Sequence, residues 1–502
     1  MPGMKKNENR PNRNLPTNEM ILQMKNRISF IFMLLISVIV INACKVGPKF
    51  QRPLSHIDST AVYRYDSLQL AVTDSVLNIK WWELFQDPAL DTLIQIGLKE
   101  NKDILIASAR IEQSRAAVGM AKADYGPKIG YEIDVMRGNV LNGLPSQGGN
   151  AGNIFAGFGT LGWELDFWGK YRRATEAAKA TLAASEYGKR TIQIGLLSQI
   201  VGTYYTLLDF RWRLDISRHT LQLRQESLDI IQERFNKGII PEIDLNQAQI
   251  QRAIAAAAVP EYERRVAQTE NALSILLGRN PEPIMIETDL ADQLLPPDIP
   301  VGLPSMLVER RPDILQAEQL LKAQNAQIGV AVALRFPSIS LTGLLGVASD
   351  DISALTANGA AFSMGAGLLG PIFEFGKNKK RVQIERYKTE QALYEYEKAV
   401  ITAFQEVEDA LVEIETLKDE LVVRQDHLDA ALNARNLSKE RYDKGVTSYL
   451  ELLESERQAF EAELSFSETT QRLFNGYTKL YKALGGGWLS EEEMETNQQT
   501  GN

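Results

Sequence analysis

The chain repeats itself over most of its length, and this duplication limits the available folds more than any other feature. The segment Glu233–Gly238 (ERFNKG) returns as Glu440–Gly445 (ERYDKG), an offset of 207 positions. A slightly different offset carries Pro127 onto Pro337. Such an offset is far longer than the unit of a solenoid repeat. Each half is therefore one structural unit, present twice.

Each half contains one long helix with an apolar residue at every seventh position. Sustained heptads indicate helices packed side by side as in coiled coils. No proline interrupts residues 170–237, so the first helix is expected to run for about 65 residues, roughly 100 Å at 1.5 Å per residue. The heptad positions are Ile200, Leu207, Leu214, Leu221, Leu228 and Phe235, then Val400, Val407, Ile414, Leu421, Leu428 and Tyr442, with Arg435 breaking the second series.

Two shorter helices accompany the long helix in each half. In the first half they are predicted at Pro88–Asp124 and Pro241–Leu277, and in the second half at Ser305–Leu334 and Ser448–Leu484. Each short pair is about as long as one long helix, which suggests that the short helices stack end to end beside it. Pro260 is expected to kink its helix because proline removes a backbone hydrogen bond.

Four segments between the helices alternate apolar and polar residues with period two, which indicates β-strands. They form two hairpins, with turns at Gly138–Gly152 and Ser349–Gly359. Their apolar faces are Ile129, Tyr131, Ile133 and Val135; Phe155, Leu161, Trp163, Leu165 and Phe167; Ile339, Leu341, Leu345 and Val347; and Phe362, Met364, Ala366 and Leu368.

These strands have two interpretations. Each is about 10 to 14 residues long, enough for a tilted crossing of a bilayer, although a soluble sandwich shows the same alternation. An open four-stranded sheet cannot cross a membrane, because lipid leaves its edge groups unpaired. In the membrane interpretation, several chains must therefore pool their strands into one barrel.

The N-terminus has the features of an export signal. Lys25 and Arg27 precede the apolar run Ile28–Ile41, which is too short to span a bilayer and is followed by Asn42-Ala43-Cys44. Cys44 is the only cysteine, so it has no intrachain disulfide partner. Its position resembles a lipobox, in which the cysteine carries the lipid, and an uncleaved anchor is the alternative. The start codon stays open among Met1, Met20 and Met24.

The order helix, hairpin, long helix and short helix, twice over, resembles the TolC family, in its lipoprotein branch that serves resistance-nodulation-division pumps. The motifs are Trp163–Gly169, Gly370–Phe373 and the two Lys-Gly turns. The resemblance implies a mainly helical chain whose coiled-coil-like helices form an α-barrel and whose four strands contribute to a trimeric 12-stranded β-barrel. It implies a lipid-anchored homotrimer in the outer membrane that spans the periplasm.

The same resemblance implies a function and partners. The chain would be the exit duct of a tripartite efflux pump for small molecules, joined to a periplasmic adaptor and an inner-membrane pump of the resistance-nodulation-division type. A type I secretion duct and a lipid-anchored periplasmic coiled-coil scaffold are the alternatives. Residues matching the family's adaptor-binding tip are Lys237, Gly238, Lys444, Gly445, Val446, Thr447 and Ser448.

Residues matching the family's periplasmic gate are Asp244, Tyr442, Glu451 and Glu454. Glu451 and Glu454 are one helical turn apart and share a face; around a threefold axis each would form a ring of carboxylates that attracts cations. Thr447 stands where some members carry a basic residue that locks the tip. Glu132 and Asp134 alternate with apolar strand residues and are expected to face the barrel lumen. The alternative for Glu132 and Asp134 is the polar edge of a soluble sheet. The alternative for each gate acid is a solvent-exposed carboxylate in the first turn of a helix, where the helix dipole favours it.

Composition and motifs exclude other classes of function. The net charge of -9 argues against a nucleic-acid surface. The histidines His56, His219 and His427 lack metal-ligand spacing, and neither a phosphate-binding loop nor a nucleophile elbow is visible. We therefore expect no enzyme activity, no metal and no cofactor beyond the lipid. The expected boundaries are 1–43 for the extension and signal, 44–87 for the anchor and linker, 88–280 and 305–488 for the repeats, 281–304 for the linker between them, and 489–502 for a disordered tail.

The lipobox hypothesis predicts the chemistry of the mature N-terminus. Mass spectrometry of protein purified from outer membranes should find cleavage before Cys44 and acyl chains on that residue. A Cys44→Ser variant should lack the lipid mass. An unmodified Cys44 at the mature N-terminus would refute lipidation.

Overall fold

The computed structural model describes residues 45–53, 63–64, 80–138, 140–141, 144–145, 151–286, 288–297, 308, 310–355 and 360–486. Cys44, the predicted signal in 1–43 and the predicted tail in 489–502 lie outside the described residues, as do residues 54–62 and 65–79 of the first predicted linker and residues 287 and 298–304 of the second. The domain boundaries therefore stay predictions.

The observed elements follow the duplicated order that the sequence predicts. Among the described residues, no helix is both long and apolar enough to cross a bilayer. The first half contains α1 (Pro88–Glu100), α2 (Lys102–Ala123), β1 (Lys128–Gly138), β2 (Val140–Leu141), β3 (Leu144–Pro145), β4 (Gly152–Leu165), α3 (Lys170–Asn236) and α4 (Glu242–Leu276). The second half contains α5 (Pro312–Ala333), β5 (Ser338–Ser349), β6 (Ala361–Leu369), α6 (Lys377–Asp443) and α7 (Tyr449–Ala483).

Helices α3 and α6 each run for 67 residues, which confirms the long-helix prediction. Heptad positions near the middle of each helix are fully packed: Ile200 and Leu207 in α3 and Val407 in α6 are 0% exposed. Helix α4 continues through Pro260, and the kink stays a prediction.

The predicted single helix over Pro88–Asp124 is wrong, because Asn101 divides it into α1 and α2. The Asn101 side-chain oxygen accepts hydrogen bonds from the backbone N–H groups of Asp103 (2.8 Å) and Ile104 (3.3 Å) and so caps the start of α2. Its amide nitrogen donates to the carbonyl oxygen of Leu276 at 2.8 Å. This side chain therefore ends one helix, begins the next and ties both to the end of α4.

The second half repeats that contact with a different side chain. Arg311 occupies the position equivalent to Asn101, and its Nη1 donates to the carbonyl oxygen of Ala483, the equivalent of Leu276, at 2.9 Å. Arg311 also pairs with Asp313 and Glu406, each at 2.6 Å. The duplication therefore preserves the place of the contact and changes its chemistry.

The four long strands form one antiparallel sheet in the order β1-β4-β5-β6. Lys128 lies opposite Gly162 in the β1–β4 pair, and Ser338 lies opposite Leu369 in the β5–β6 pair. Strands β2 and β3 form a separate two-stranded extension. Strands β1 and β6 occupy the two edges of the described sheet, so the outer side of each has no partner within this sheet.

The chain divides into two compact units. The sheet unit comprises Gly119–Ala177 and Asn325–Arg386 with the chain up to Lys49; the helix unit comprises Phe50–Val118, Ala178–Gln324 and Tyr387–Asn502. The main core lies in the helix unit, where Tyr205 stacks on Phe474 with ring centroids 4.3 Å apart. Both units draw residues from both halves of the sequence.

A buried carboxylate joins three distant parts of the helix unit. Asp87 is 2% exposed and caps α1 by accepting from the N–H groups of Ala89 (2.9 Å) and Leu90 (3.3 Å). Its second oxygen accepts a hydrogen bond from the Tyr204 hydroxyl and one from Gln293 Nε2 at 2.9 Å. One side chain therefore connects the start of α1, the middle of α3 and the segment after α4.

This network makes Asp87 a sensitive point of the fold. We expect Asp87→Ala to destabilise the protein by about 3 kcal/mol, because the helix cap is lost and two buried donors are left unpaired. Thermal unfolding followed by circular dichroism should show a clearly lower midpoint. Thr92→Ala, an exposed change on the same helix, should leave the midpoint nearly unchanged; an equal midpoint for both variants would contradict the network.

Candidate functional site

The candidate site is the pair of turns that join the long helices to the helices that follow them. In the turn between α3 and α4, Gly238 has φ 68°. The N–H of Gly238 donates to the carbonyl of Phe235 at 2.8 Å, and the N–H of Ile239 donates to the carbonyl of Arg234 at 3.0 Å. This is a Schellman ending, in which glycine supplies the left-handed residue.

The second turn has the same geometry. Gly445 has φ 71°, and its N–H and that of Val446 donate to the carbonyls of Tyr442 and Arg441, each at 2.9 Å. Nothing lies within 4 Å of a Cβ placed on either glycine. Only the backbone conformation therefore requires glycine at these positions.

An apolar cluster beneath the turns joins the two helix pairs, and we call it the tip cluster. Its members come from α3, α4, α6 and α7. The cluster therefore holds two helical hairpins, α3–α4 and α6–α7, together within one chain. They are Ile231, Leu245, Ala248, Tyr449, Leu452 and Leu453, with Leu228, Phe235, Ile240 and Tyr442 packed against them.

The predicted gate residue Tyr442 ties the two hairpins directly. Arg234 Nη1 of the first hairpin donates to the Tyr442 hydroxyl at 2.9 Å, and its guanidinium lies 5.1 Å from the Tyr442 ring centroid. The Tyr442 ring also contacts Tyr449, with centroids 5.4 Å apart. Burial raises the pKa of Tyr449 to about 12. This second tyrosine therefore stays neutral and acts as packing.

The two predicted gate glutamates are held by side chains of their own chain. Glu451 accepts a hydrogen bond from the Thr447 hydroxyl and lies 3.6 Å from Arg441 Nε. Glu454 accepts from Arg457, with N–O distances of 3.0 and 2.6 Å, and from Gln458. Hydrogen bonds from Arg457 hold the pKa of Glu454 below its usual value. Each carboxylate therefore has a cation beside it, which reduces its net field.

The predicted adaptor residues lie in the two turns and are mostly exposed. Lys237 pairs with Glu233 at 3.3 Å, and Lys444 pairs with Glu440 at 3.8 Å. Val446 is 66% exposed, as is Ile239 (67%) on the first turn. Ser448 precedes α7 without a side-chain cap, and Asp244 is half-buried in the first turn of α4.

A buried arginine near the tip was not predicted. Arg224 is 3% exposed, donates from Nη1 to the carbonyl of Gln251 at 2.8 Å and lies over the Phe460 ring at 5.2 Å. Burial also raises the pKa of the nearby Glu456. The signal was present, since residue 224 falls three positions after the heptad residue Leu221 and so at a second core position.

The predicted lumen residues Glu132 and Asp134 occupy one face of β1. They lie opposite Phe158 and Ala156 of β4. Tyr131 and Ile133, on the other face of β1, are 85% and 73% exposed. The acids and the apolar residues therefore leave the sheet on opposite sides. Within the described residues, no group of three acidic, histidine or cysteine side chains is placed to hold a metal ion.

Two segments of the chain, residues 93–279 and 303–486, match the model of a protein family described as outer membrane efflux protein. The matched segments correspond to the two repeats. The toluene efflux pump outer membrane protein TtgC of Pseudomonas putida is 33% identical over 477 residues, which cover 93% of this chain and 97% of that protein. The probable outer membrane lipoprotein SilC of Salmonella typhimurium is 30% identical over 467 residues, covering 90% and 98%.

Solved structures agree with this similarity. The CmeC outer membrane channel of Campylobacter jejuni superposes with a TM-score of 0.81 at 27% sequence identity, covering 91% of this chain and 98% of that one. The match extends over nearly the entire fold, including both repeats.

The geometry of the turns predicts the effect of changing their glycines. Gly445→Ala should destabilise the protein by about 1 kcal/mol, because a side chain disfavours the left-handed conformation. Gly119→Ala is the matched control: its new methyl group meets nothing within 4 Å inside an exposed stretch of α2, so stability should stay equal or rise. Thermal unfolding of both variants measures the difference, and an unaffected Gly445→Ala would contradict the assignment.

Proposed function

Because this chain belongs to the outer membrane efflux protein family, we propose that it is the exit channel of a tripartite efflux pump. It receives small molecules from an inner-membrane pump and a periplasmic adaptor and passes them across the outer membrane. The relative TtgC bears the name of an efflux pump outer membrane protein. The pump is proposed to be of the resistance-nodulation-division type, as the sequence resemblance implies.

The open sheet is the observation that carries this proposal. Strands β1 and β6 lie at its edges, and apolar residues such as Tyr131 and Met364 are 85% and 87% exposed. Lipid would cover such side chains, but it has no partner for the edge N–H and C=O groups. Three copies that join edge to edge satisfy both demands, because 12 strands then close into a barrel.

The first described residues support an anchor at Cys44. The Val46 N–H donates to the carbonyl of Trp168 at 3.2 Å, and Arg173, which is 2% exposed, donates to the carbonyls of Val46 and Gly47, each at 3.1 Å. Lys45 pairs with Glu176 at 2.5 Å. This strap fixes the chain immediately after Cys44 against the start of α3. A lipid on Cys44 would therefore be attached beside the junction of β4 and α3.

The tip turns are the proposed adaptor site and gate. Lys237, Gly238 and the stretch 444–448 expose backbone and side chains on one end of the helix pairs, where a second protein can pack. The Arg234–Tyr442 contact joins the two hairpins, so an adaptor that separates them must break it. We assign this contact to the closed arrangement of the tip.

The acidic residues would give the gate its ion preference. Glu451, Glu454 and Asp244 lie in or near the first turns of the helices that follow the tip. In a trimer, each would recur three times around the axis and attract cations. The intrachain arginines weaken this field, since Arg441 and Arg457 each lie beside one of the two glutamates.

Conductance tests the channel. Detergent-purified protein should have a trimeric mass by light scattering and should form small, cation-selective openings in a planar bilayer. A silent monomer or dimer would refute the duct.

A double variant tests the gate acids. Glu451→Gln with Glu454→Gln should lose most of the cation selectivity and of the block by divalent cations, because two of the three gate carboxylates of each chain are gone and only Asp244 remains. Glu261→Gln is the control, since Glu261 forms a similar exposed pair with Arg265 (2.7 Å) away from the tip. Unchanged selectivity and block in the double variant would reject the gate role.

When Glu451 is replaced, the pH dependence of cation block at Glu454 follows from the depressed pKa of this carboxyl. Its carboxylate stays charged as the pH falls through the usual glutamate range and is neutralised only at lower pH. In the single variant Glu451→Gln, cation block should therefore persist in that range.

A further inference from the structure

The internal duplication extends to the register of the strands. A shift of 210 positions carries Lys128 to Ser338, and a shift of 207 carries Gly162 to Leu369. Lys128 pairs with Gly162, and Ser338 pairs with Leu369. The two hairpins therefore have identical registers, and the same two shifts relate β1 to β5 and β4 to β6.

The joint between the hairpins, β4 with β5, has only one copy in the chain. There, Gly162 lies opposite Thr342. The same shifts applied to this pair give Leu369 of β6 opposite Glu132 of β1. Strands β6 and β1 occupy opposite edges of the described sheet, so the strand that meets β6 belongs to another molecule.

We propose that β6 of one protomer pairs antiparallel with β1 of the next in this register. Leu369 then lies opposite Glu132, Leu368 opposite Ile133, and Ala366 opposite Val135 of the next protomer. The proposal rests on the proposed trimer and adds to it the specific contact between copies.

The faces of the two strands provide an independent check. The apolar residues of β1 have odd numbers and those of β6 have even numbers, as Ile133 and Leu368 illustrate, so matching faces requires an even-numbered residue opposite an odd-numbered one. The inferred register meets this condition at every pair. A slip by one residue would place Leu368 opposite Glu132 and would turn one strand's apolar face toward the lumen.

The exposed apolar residues beyond β6 support the same register. Ile372 is 102% exposed and Ile129 of β1 is 80% exposed; the inferred register places them opposite each other. Their counterparts within one chain, Leu165 and Ile339, already form such a pair. The contact between copies therefore covers two side chains that a single chain leaves in solvent.

An aromatic side chain extends the joint past the strands. Within one chain, Trp168 stacks on Phe336 with centroids 4.5 Å apart and donates to the carbonyl of Pro337 at 2.7 Å. The shifts carry Trp168 to Phe375, which is 92% exposed. They carry Phe336 and Pro337 to Gly126 and Pro127, respectively. In the inferred register, Gly126 and Pro127 of the next protomer are the surface that corresponds to Phe375. Within one chain, Phe375 has φ 48° and its ring contacts Phe373 with centroids 4.6 Å apart, so packing on the next protomer requires Phe375 to adopt the backbone conformation of Trp168.

Disulfide cross-linking in outer membranes tests the register. Two double variants carry the inferred pairs: Leu368→Cys with Ile133→Cys, and Leu369→Cys with Glu132→Cys. Adjacent antiparallel pairs alternate between two Cα separations, about 4.5 and 5.5 Å, so both kinds of pair are sampled and both lie within disulfide range.

The controls test neighbouring registers on the same face. Leu368→Cys with Val135→Cys, and Leu368→Cys with Tyr131→Cys, create diagonal pairs about 7 to 8 Å apart, beyond disulfide range. Each single-cysteine variant is also purified, to establish that it folds to the wild-type mass and forms no link of its own or through Cys44.

After oxidation, the inferred pairs should shift the monomer band to reducible dimers and trimers, and the diagonal pairs should not. Stronger linking of a diagonal pair, or no linking of either inferred pair in protein of trimeric mass, would overturn the register while leaving the trimeric channel in place. A monomeric mass for the wild-type protein would overturn the trimer and the register together.

Discussion

The pairing of backbone groups at the edges of the sheet is the constraint on which the rest of the structure depends. Strands β1 and β6 end the sheet of a single chain, and lipid would leave their outer N–H and C=O groups without partners. A chain with this sheet needs further copies of itself in a membrane. The long helices can also pack in several copies, since helices with a heptad pattern associate by repeating one kind of side-chain contact.

The sequence predicts the regular parts of this protein well because they are governed by periodicity. The bounds of α3 agree with the proline-free stretch 170–237 to within one residue, the heptads of both long helices fall inside α3 and α6, and all four strands follow the alternation. The break at Asn101 escaped because Pro88–Asp124 has no proline or other strong breaker at that point. Asparagine is a preferred N-cap residue, and its bond to the N–H of Asp103 is local, but the bond from Asn101 to Leu276 is a tertiary contact without a local signature.

At the tip, too, the sequence pattern predicts the turns but not the side-chain contacts between distant parts of the chain. The turns at Gly238 and Gly445 follow from glycine placed after the last heptad residues. The bond between Arg234 and Tyr442 joins positions about 200 residues apart. The heptad pattern indicates that residue 224 is buried, but it does not indicate the bond from Arg224 to the carbonyl of Gln251. The gate and adaptor assignments came from family resemblance, and they remain predictions that the structure makes testable.

The two Schellman turns have a consequence for how such a channel can change partners. All the hydrogen bonds that close each turn come from backbone groups, and the side chains of Lys444 and Val446 take no part in closing it. Only the glycine is fixed by conformation. The neighbouring side chains can therefore be exchanged for those of another channel without rebuilding the tip. Under the adaptor-binding role proposed for the tip, evolution can in this way alter which adaptor is recognised while the hairpin keeps its shape.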